Sequence, residues 1–255
     1  MAEKFKEQAV IISQEEIAPA IYSLWIKTDK IAQYAKAGQF ISIYCEDGSR
    51  LLPRPISICE IDKEDCALHL VYRIAGAGTE EFSQKQTGDH LSVMGPLGNG
   101  FPLKSKKAFL IGGGIGIPPM LETAKQLNAQ KTAVLGYRDE LFLNEEFAKY
   151  ADVYVATEDG SSGTKGNVLN AIQEKALEAD VIFACGPTPM LRALKEYAAA
   201  NHITCWISME ERMACGIGAC LACVCKSKDI DAHSQVHNKR VCKDGPVFLS
   251  TEVEL

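Results

Sequence analysis

Short alternating apolar runs dominate the first part of the chain. Ile21 to Lys27, Phe40 to Cys45, Ile56 to Ile61, Leu68 to Ile74 and His90 to Met94 are rich in Ile, Val, Leu and Tyr. Turn-forming residues separate them, at Glu46-Asp47-Gly48-Ser49, Asp62-Lys63-Glu64-Asp65 and Thr87-Gly88-Asp89. Such runs suit a pleated, half-buried surface, and strands this short at this spacing predict an antiparallel β-barrel. Around Gly95-Pro96-Leu97-Gly98-Asn99-Gly100 the texture changes. Unbroken apolar runs at Phe109 to Ile111, Thr132 to Gly136, Val153 to Ala156 and Val181 to Ala184 now alternate with helical stretches at Pro118 to Leu127, Asn144 to Tyr150, Val168 to Leu177 and Pro189 to Ala200. Strands apolar on both faces belong to parallel sheets covered by helices, the doubly wound α/β pattern. A last strand, Thr204 to Met209, runs into a cysteine-rich tail. The expected fold class is α+β multidomain: a β-barrel over residues 1–102, a doubly wound parallel-sheet domain over 103–209 and a small C-terminal domain over 210–255.

The tail carries the strongest chemical signal. Its cysteines follow the spacing Cys215-x4-Cys220-x2-Cys223, then eighteen residues, then Cys242. The first three match the thiolate spacing of plant-type 2Fe-2S ferredoxins. Gly216, Gly218, Ala219 and Ala222 leave room for backbone N–H groups to approach negatively charged sulfides. Zinc is the competing reading, but structural zinc sites usually show two short ligand pairs, not three thiols in one loop and a fourth alone. Cys225 competes with Cys242 as fourth ligand. Cys242 is favoured because Ala222 to Lys226 reads as extended, and using both Cys223 and Cys225 would require a sharp tightening there.

Two more motifs sit in the preceding domains. In the barrel, Arg54-Pro55-Ile56-Ser57 is followed by Val71-Tyr72-Arg73 and Gly76-Ala77-Gly78-Thr79. A planar cation fork, hydroxyls and a glycine turn are suited to a diphosphate, although Arg-Pro beside a strand is by itself more often a solvated turn. In the second domain, Gly112-Gly113-Gly114-Ile115-Gly116-Ile117-Pro118-Pro119 joins a buried strand to a helix. Free backbone amides at a helix start favour a diphosphate, and proline suits the first turn. The glycines depart from the G-x-G-x-x-G fingerprint, and a bare strand-to-helix turn is the alternative. Cys185-Gly186-Pro187 ends a later strand at the same carboxyl edge, where open α/β sheets bind ligands.

In combination these motifs resemble the ferredoxin-NADP reductase superfamily over about residues 5 to 209. The tail, Glu211 to Cys220 with Cys242-Lys243-Asp244-Gly245-Pro246-Val247-Phe248, is similar to that of the electron-transfer subunits of class 1B dihydroorotate dehydrogenases. The resemblance implies FAD at Arg54, Pro55, Ile56, Ser57, Val71, Tyr72, Arg73, Gly78 and Thr79. It implies NAD as electron acceptor, with Gly112, Gly113, Gly114, Gly116, Cys185 and Gly186 as nucleotide-binding candidates. It also implies a 2Fe-2S cluster on Cys215, Cys220, Cys223 and Cys242, and an FMN-containing catalytic partner that oxidises dihydroorotate in pyrimidine synthesis, two copies of each chain. The gap before Cys242 is long for the family, so Asp229 to Lys239 reads as a surface insertion. A related subunit serving a sulfide dehydrogenase or an NADP transhydrogenase, and a zinc-stabilised module without redox chemistry, are the alternatives.

Composition narrows the remaining classes. A net charge of -6 and the lack of a basic stripe argue against nucleic acid. With 47% hydrophobic and 24% charged residues, no apolar run long enough to span a bilayer and no apolar leader behind Met1-Ala2-Glu3-Lys4, the reading is a cytoplasmic protein. No constellation for an organic substrate stands out, so no catalytic residue is assigned, and electrons are expected to enter or leave through another protein. Met213, Ala214, Ile217 and Leu221 are candidates for its docking face. Cys45, Cys59, Cys66, Cys185 and Cys205 read as core thiols, and His69, His90 and His202 as structural or surface residues. His233 and His237 read as a solvated loop with a metal pair as the lesser alternative, and Tyr137-Arg138-Asp139-Glu140 as a ribose-reading position that decides neither NAD nor NADP.

Overall fold

The computed structural model describes residues 3–231 and 235–255. The chain divides into two compact units. The first comprises Met1–Gly100, Glu210–Val224 and Arg240–Pro246, the second Phe101–Met209, Cys225–Lys239 and Val247–Leu255. Residues 210–255 contribute segments to both units.

In the first unit, strands β1 (Phe5–Ala18), β2 (Ile21–Lys27), β3 (Phe40–Tyr44), β4 (Arg54–Asp62), β5 (Ala67–Arg73) and β6 (His90–Leu97) form a closed antiparallel barrel in the order β1-β2-β5-β4-β3-β6. Period-two alternation fills its interior: Ile41 and Ile43 from β3, Leu68, Leu70 and Tyr72 from β5, Leu24 and Ile26 from β2. Each large aliphatic group buried this way contributes about 1.5–3 kcal/mol. The sequence reading did not assign β1, yet its fourteen residues close the barrel by pairing with both β2 and β6. A short helix α1 (Ile31–Tyr34) follows β2, and the glycine turn expected at 76–79 opens a second, α2 (Ala77–Ser83).

The cysteine-bearing segments attach to this barrel by hydrogen bonds that Asn99 donates to main-chain carbonyls. Asn99 N donates to Gly245 O at 2.7 Å, and Asn99 Nδ2 donates to Lys243 O and Asp244 O at 3.2 and 3.0 Å. Gln39 Nε2 in turn donates to Gly98 O at 2.7 Å and fixes the turn that presents Asn99.

The second unit holds β7 (Lys107–Gly113), β8 (Gln130–Tyr137), β9 (Asp152–Thr157), β10 (Thr164–Lys165), β11 (Val181–Cys185) and β12 (Thr204–Ser208), all parallel where they pair. Helices α3 (Pro118–Gln126), α4 (Asn144–Ala148), α5 (Val168–Glu174) and α6 (Thr188–Ala200) connect them. Proline opens the first turns of α3 and α6, and Asn167 caps α5 by accepting from Leu169 N and Asn170 N. A two-stranded ribbon, β13 (Val224–Lys226) with β14 (Asn238–Arg240), precedes β15 (Val247–Leu249), which pairs antiparallel with β12. The sheet order is β10-β9-β8-β7-β11-β12-β15. Successive strands run one way from β7 to β10 and then resume on its other side at β11. The topological switch point therefore lies between β7 and β11, where doubly wound sheets open a ligand crevice.

Candidate cofactor sites

Two pairs of thiols form in the cysteine segment. Cys220 Sγ donates to Cys215 Sγ at 3.3 Å, and Cys220 N donates to the same sulfur at 3.4 Å. Cys242 N donates to Cys223 Sγ at 3.4 Å, with Cys223 1% and Cys242 0% exposed. Among the described residues no three His, Cys, Asp or Glu side chains converge on one point. Two separate pairs match a cluster with two irons, each of which takes two thiolates, better than the single tetrahedral centre of zinc. Left-handed backbone at Gly216 (φ +68°) and Gly218 (φ +82°) curls the loop so that its amides face the sulfurs.

Electrostatics prepares these thiols for metal. At Cys215 burial opposes ionisation, but the N–H groups of Cys220, Ile217 and Ala219 and the Cys220 thiol outweigh it and bring the group down to about 7. At Cys223 the donated Cys242 thiol dominates, and with nearby N–H groups it lowers the pKa to about 6 despite burial. Cys242 moves the opposite way, raised by its bond to Cys223, by burial and by the charges of Cys223 and Cys215. One thiolate and one thiol per hydrogen-bonded pair is the expected state of a metal-free site. Metal-free protein should accordingly be alkylated by iodoacetamide at Cys215 well before Cys45, whose pKa burial and Glu81 raise. The Cys215 rate should fall as pH drops through about 7. Peptide mass spectrometry across pH 5 to 9 reads both; equal rates at the two residues would contradict the assignment.

Three supports of this loop were missed from sequence. Arg240, 6% exposed, donates from Nη1 to Gly218 O at 3.1 Å, and its Nε reaches Asp244 Oδ2 at 3.4 Å. Asn99 holds the backbone after Cys242, and Ser42 packs against Gly216. Of the expected docking residues, Ile217 and Leu221 are 41% and 56% exposed, with Val224 at 37% beside them, whereas Met213 is 8% exposed and belongs to the interior. Cys225 is buried within β13.

On the barrel, Arg54, Pro55, Ile56 and Ser57 are half-buried along β4. The Arg54 guanidinium lies against Gly78, at which a Cβ would come within 2.6 Å of Arg54 Cζ, and its Nη1 donates to Leu52 O. Val71 is buried and Arg73 exposed on β5. Two expected ligands are otherwise engaged. The Tyr72 ring is 1% exposed in the barrel core, stacks on Tyr22 at 5.7 Å and donates its hydroxyl to Gln14 Oε1 at 3.0 Å. Its side chain therefore serves packing, because the pleat turns residue 72 inward. Thr79 Oγ1 accepts from Ala75 N and Gly76 N and donates to Gly76 O, so it shapes the entry to α2.

In the second unit, Gly112 and Gly113 end β7, and Gly114–Gly116 make a single 3₁₀ turn into α3. Cys185 stands beside Gly112 in the parallel register of β11 and β7, so the glycine run and Cys185-Gly186 flank the switch point together. A Cβ on Gly116 would come within 2.6 Å of Gly186 Cα. Tyr137 is spent internally, its hydroxyl donating to Phe142 O at 2.8 Å and its pKa raised by burial, whereas Arg138, Asp139 and Glu140 are exposed past β8.

The other candidates resolve simply. Cys59, Cys185 and Cys205 are buried as expected, but Cys45 is partly exposed after β3, and Cys66 sits in the β4–β5 turn at φ +54°, not in a strand core. His69 is structural: it stacks on Trp25 at 4.6 Å, with Ser23 Oγ 2.8 Å from Nε2 and Glu60 Oε1 3.1 Å from Nδ1. His90 and His202 are exposed. His233 lies outside the described residues, and His237 Nδ1 donates to Lys228 O at 2.8 Å. Among the described residues no helix is long and apolar enough to cross a membrane.

Comparison with known proteins agrees with this layout. Residues 210–254 match the model of the iron-sulfur cluster binding domain of dihydroorotate dehydrogenase B. The chain is 46% identical over 259 residues to the dihydroorotate dehydrogenase B (NAD(+)) electron transfer subunit of Streptococcus mutans serotype c, covering 98% of each chain. It is 43% identical over 260 residues to that of Bacillus caldolyticus, covering 98% of this chain and 99% of the relative. Among solved structures, an NADH-dependent reduced ferredoxin-NADP oxidoreductase studied for flavin-based electron bifurcation aligns with TM-score 0.87 at 28% identity, over 97% of this chain and 90% of that one. The ferredoxin reductase of carbazole 1,9a-dioxygenase shares the fold, with TM-score 0.66 at 19% identity over 78% and 67% of the two chains.

Barrel, doubly wound sheet and paired thiols define a class, the ferredoxin-reductase-like oxidoreductase subunits that carry an iron-sulfur domain. Whole-length likeness to its curated relatives narrows this further. The chain belongs to the family of electron transfer subunits of dihydroorotate dehydrogenase B (NAD(+)).

Proposed function

We propose that the chain carries electrons from the FMN of a dihydroorotate-oxidising catalytic subunit, through a 2Fe-2S cluster and FAD, to NAD+ in pyrimidine (UMP) biosynthesis, with two copies of each chain in the complex. The observation that carries this reading is the arrangement of four thiols as two pairs. When bound, FAD supplies hydride exchange with nicotinamide and single-electron exchange with a cluster that takes one electron at a time. Cys215 and Cys220 would hold one iron and Cys223 and Cys242 the other, with loop amides donating to sulfur.

The barrel face fits a flavin nucleotide. Arg54 presents a planar fork that packs directly on Gly78, with Ser57 and Arg73 as further donors, Pro55 and Ile56 as apolar surface, and Val71 and Tyr72 offering main chain. Gly112, Gly113, Gly114 and Gly116, opening α3 beside Cys185 and Gly186, fit the diphosphate of NAD. Exposed Ile217, Leu221 and Val224 provide the apolar patch on which the partner docks. Ten cysteines, all free thiols among the described residues, are in keeping with a cytoplasmic location.

Gly78→Ala tests the flavin site, because its methyl group displaces the flexible Arg54 guanidinium without touching the core. Loss of one charge-assisted hydrogen bond, about 1.5–3 kcal/mol, should weaken FAD binding about 10- to 100-fold while leaving the melting temperature of the flavin-free protein unchanged. Fluorescence titration with FAD reads this, and wild-type affinity in the variant would remove Arg54 from the site. The function itself is tested by anaerobic purification with the co-expressed partner, with assay of iron, sulfide and flavin. About two irons and two sulfides per chain, with dihydroorotate-dependent NAD+ reduction, are expected. A colourless protein with one zinc, unable to take up FAD, would overturn the proposal. The likeness to an NADH-dependent reduced ferredoxin-NADP oxidoreductase favours a second reading, service to another partner. That reading predicts the same cofactors without dihydroorotate activity.

A further inference from the structure

Ser42 occupies the middle of β3 between Ile41 and Ile43, whose side chains fill the barrel core. Period-two alternation therefore turns Ser42 to the outer face. There it meets the cysteine loop. A Cβ placed on Gly216 would lie 3.0 Å from Ser42 Oγ, with Leu97 Cδ1 and Met94 Cε at 3.2 and 3.7 Å from the same point. The residue is 0% exposed, and its hydroxyl has no hydrogen-bond partner, the one such side-chain atom among the described residues. Buried polar groups are nearly always paired, and a methyl group would fill this apolar niche at less cost. A hydroxyl here implies an acceptor that the polypeptide does not supply. Gly216 directly follows Cys215, so the niche borders the thiol loop.

We propose that Ser42 Oγ–H donates a hydrogen bond to a sulfur of the cluster held by this loop and so raises its reduction potential. This rests on the cluster assignment above. Reduction adds negative charge to the sulfurs, so a donor stabilises the reduced form more than the oxidised one. In the metal-free chain the same hydroxyl is a liability, which gives Ser42→Ala two opposite signatures.

The test compares wild type, Ser42→Ala and Ser42→Thr in the complete complex, by potentiometric titration followed by electron paramagnetic resonance, after iron and sulfide assay. At the wild-type midpoint the alanine variant should shift the reduced-to-oxidised ratio of the cluster about tenfold toward oxidised, equivalent to 59 mV for one electron. Threonine, which keeps the hydroxyl, should stay within about threefold on the same scale. Metal-free Ser42→Ala should melt at or above wild type. An unchanged cluster potential in Ser42→Ala overturns the inference. So does a shift confined to the flavin, which would place the acceptor there. Loss of the cluster from a folded variant, or a lower melting temperature without metal, would make Ser42 a scaffold residue and equally overturn it. Iron and sulfide absent from wild type would instead bring down the cluster assignment itself.

Discussion

Cys242→Ser is expected to leave a folded chain that holds no stable 2Fe-2S cluster and passes electrons to or from its partner at no more than about one-hundredth of the wild-type rate. The change swaps sulfur for oxygen and keeps the shape of the side chain, so the 0% exposed site neither opens a large cavity nor loses its backbone anchors. Asn99 still holds Lys243 O and Asp244 O, and Cys242 N still donates to Cys223 Sγ. What is lost is the second ligand of one pair. A hydroxyl ionises far less readily than a thiol and binds iron of this type poorly. Cys225→Ser is the matched control: it removes the competing candidate for fourth ligand, and it should retain iron, sulfide and electron transfer. Iron and sulfide content with visible circular dichroism separates the two variants. If Cys225→Ser loses the cluster and Cys242→Ser keeps it, the ligand set is wrong.

The same tail shows how far sequence alone reaches. Cysteine spacing marks Cys215, Cys220, Cys223 and Cys242 because a cluster loop is local chemistry. The backbone that follows Cys242 is held by Asn99, which contacts residues 144 and 145 positions away. Arg240 and Ser42 acquire their roles the same way, through backbone brought to them by the fold, and neither lies in a recognisable motif. Most strands of both units were legible because their apolar runs are long relative to their turns. The failures have physical reasons. β1 carries charged residues at many of its exposed positions and buries only Ala9 and Ile11, so its apolar pattern is too short to mark a fourteen-residue strand that closes the barrel by pairing with β2 and β6. β15 is three residues long and exists because β12 offers an edge. The inward turn of the Tyr72 side chain was not legible because six successive residues of β5 are buried, so no alternation reveals which of them faces inward. The bracing role of Thr79 was not legible because a threonine in a glycine turn serves equally well as a ligand or as a brace for the turn.

Gly116→Ala should disable nucleotide binding while sparing the cluster. The added methyl group would press on the Cys185 carbonyl and come within 2.6 Å of Gly186 Cα, so the obstacle is backbone on β11 and its following turn, with no flexible side chain to move aside. Overpacking of this kind costs about 1–3 kcal/mol. In a unit of this size each kcal/mol lowers the melting temperature by roughly 3–5 °C. The displacement falls at the switch point, where β7 and β11 are held in register by Gly112 and Cys185, so the crevice is deformed where the diphosphate is expected. Binding of NADH should weaken at least about tenfold, the equivalent of about 1.4 kcal/mol lost from the complex. Gly114→Ala supplies the contrast: nothing lies within 4 Å of its added methyl, and only the left-handed backbone at φ +53° resists it. That variant should lose about 1 kcal/mol of stability and much less affinity. Both should keep wild-type iron and sulfide, because the thiols and the barrel belong to the other unit. Calorimetric melting and an NADH titration on the loaded protein decide the matter. If Gly116→Ala bound nucleotide as wild type does, the glycine run would be a packing device between β7 and β11 and not the seat of the diphosphate.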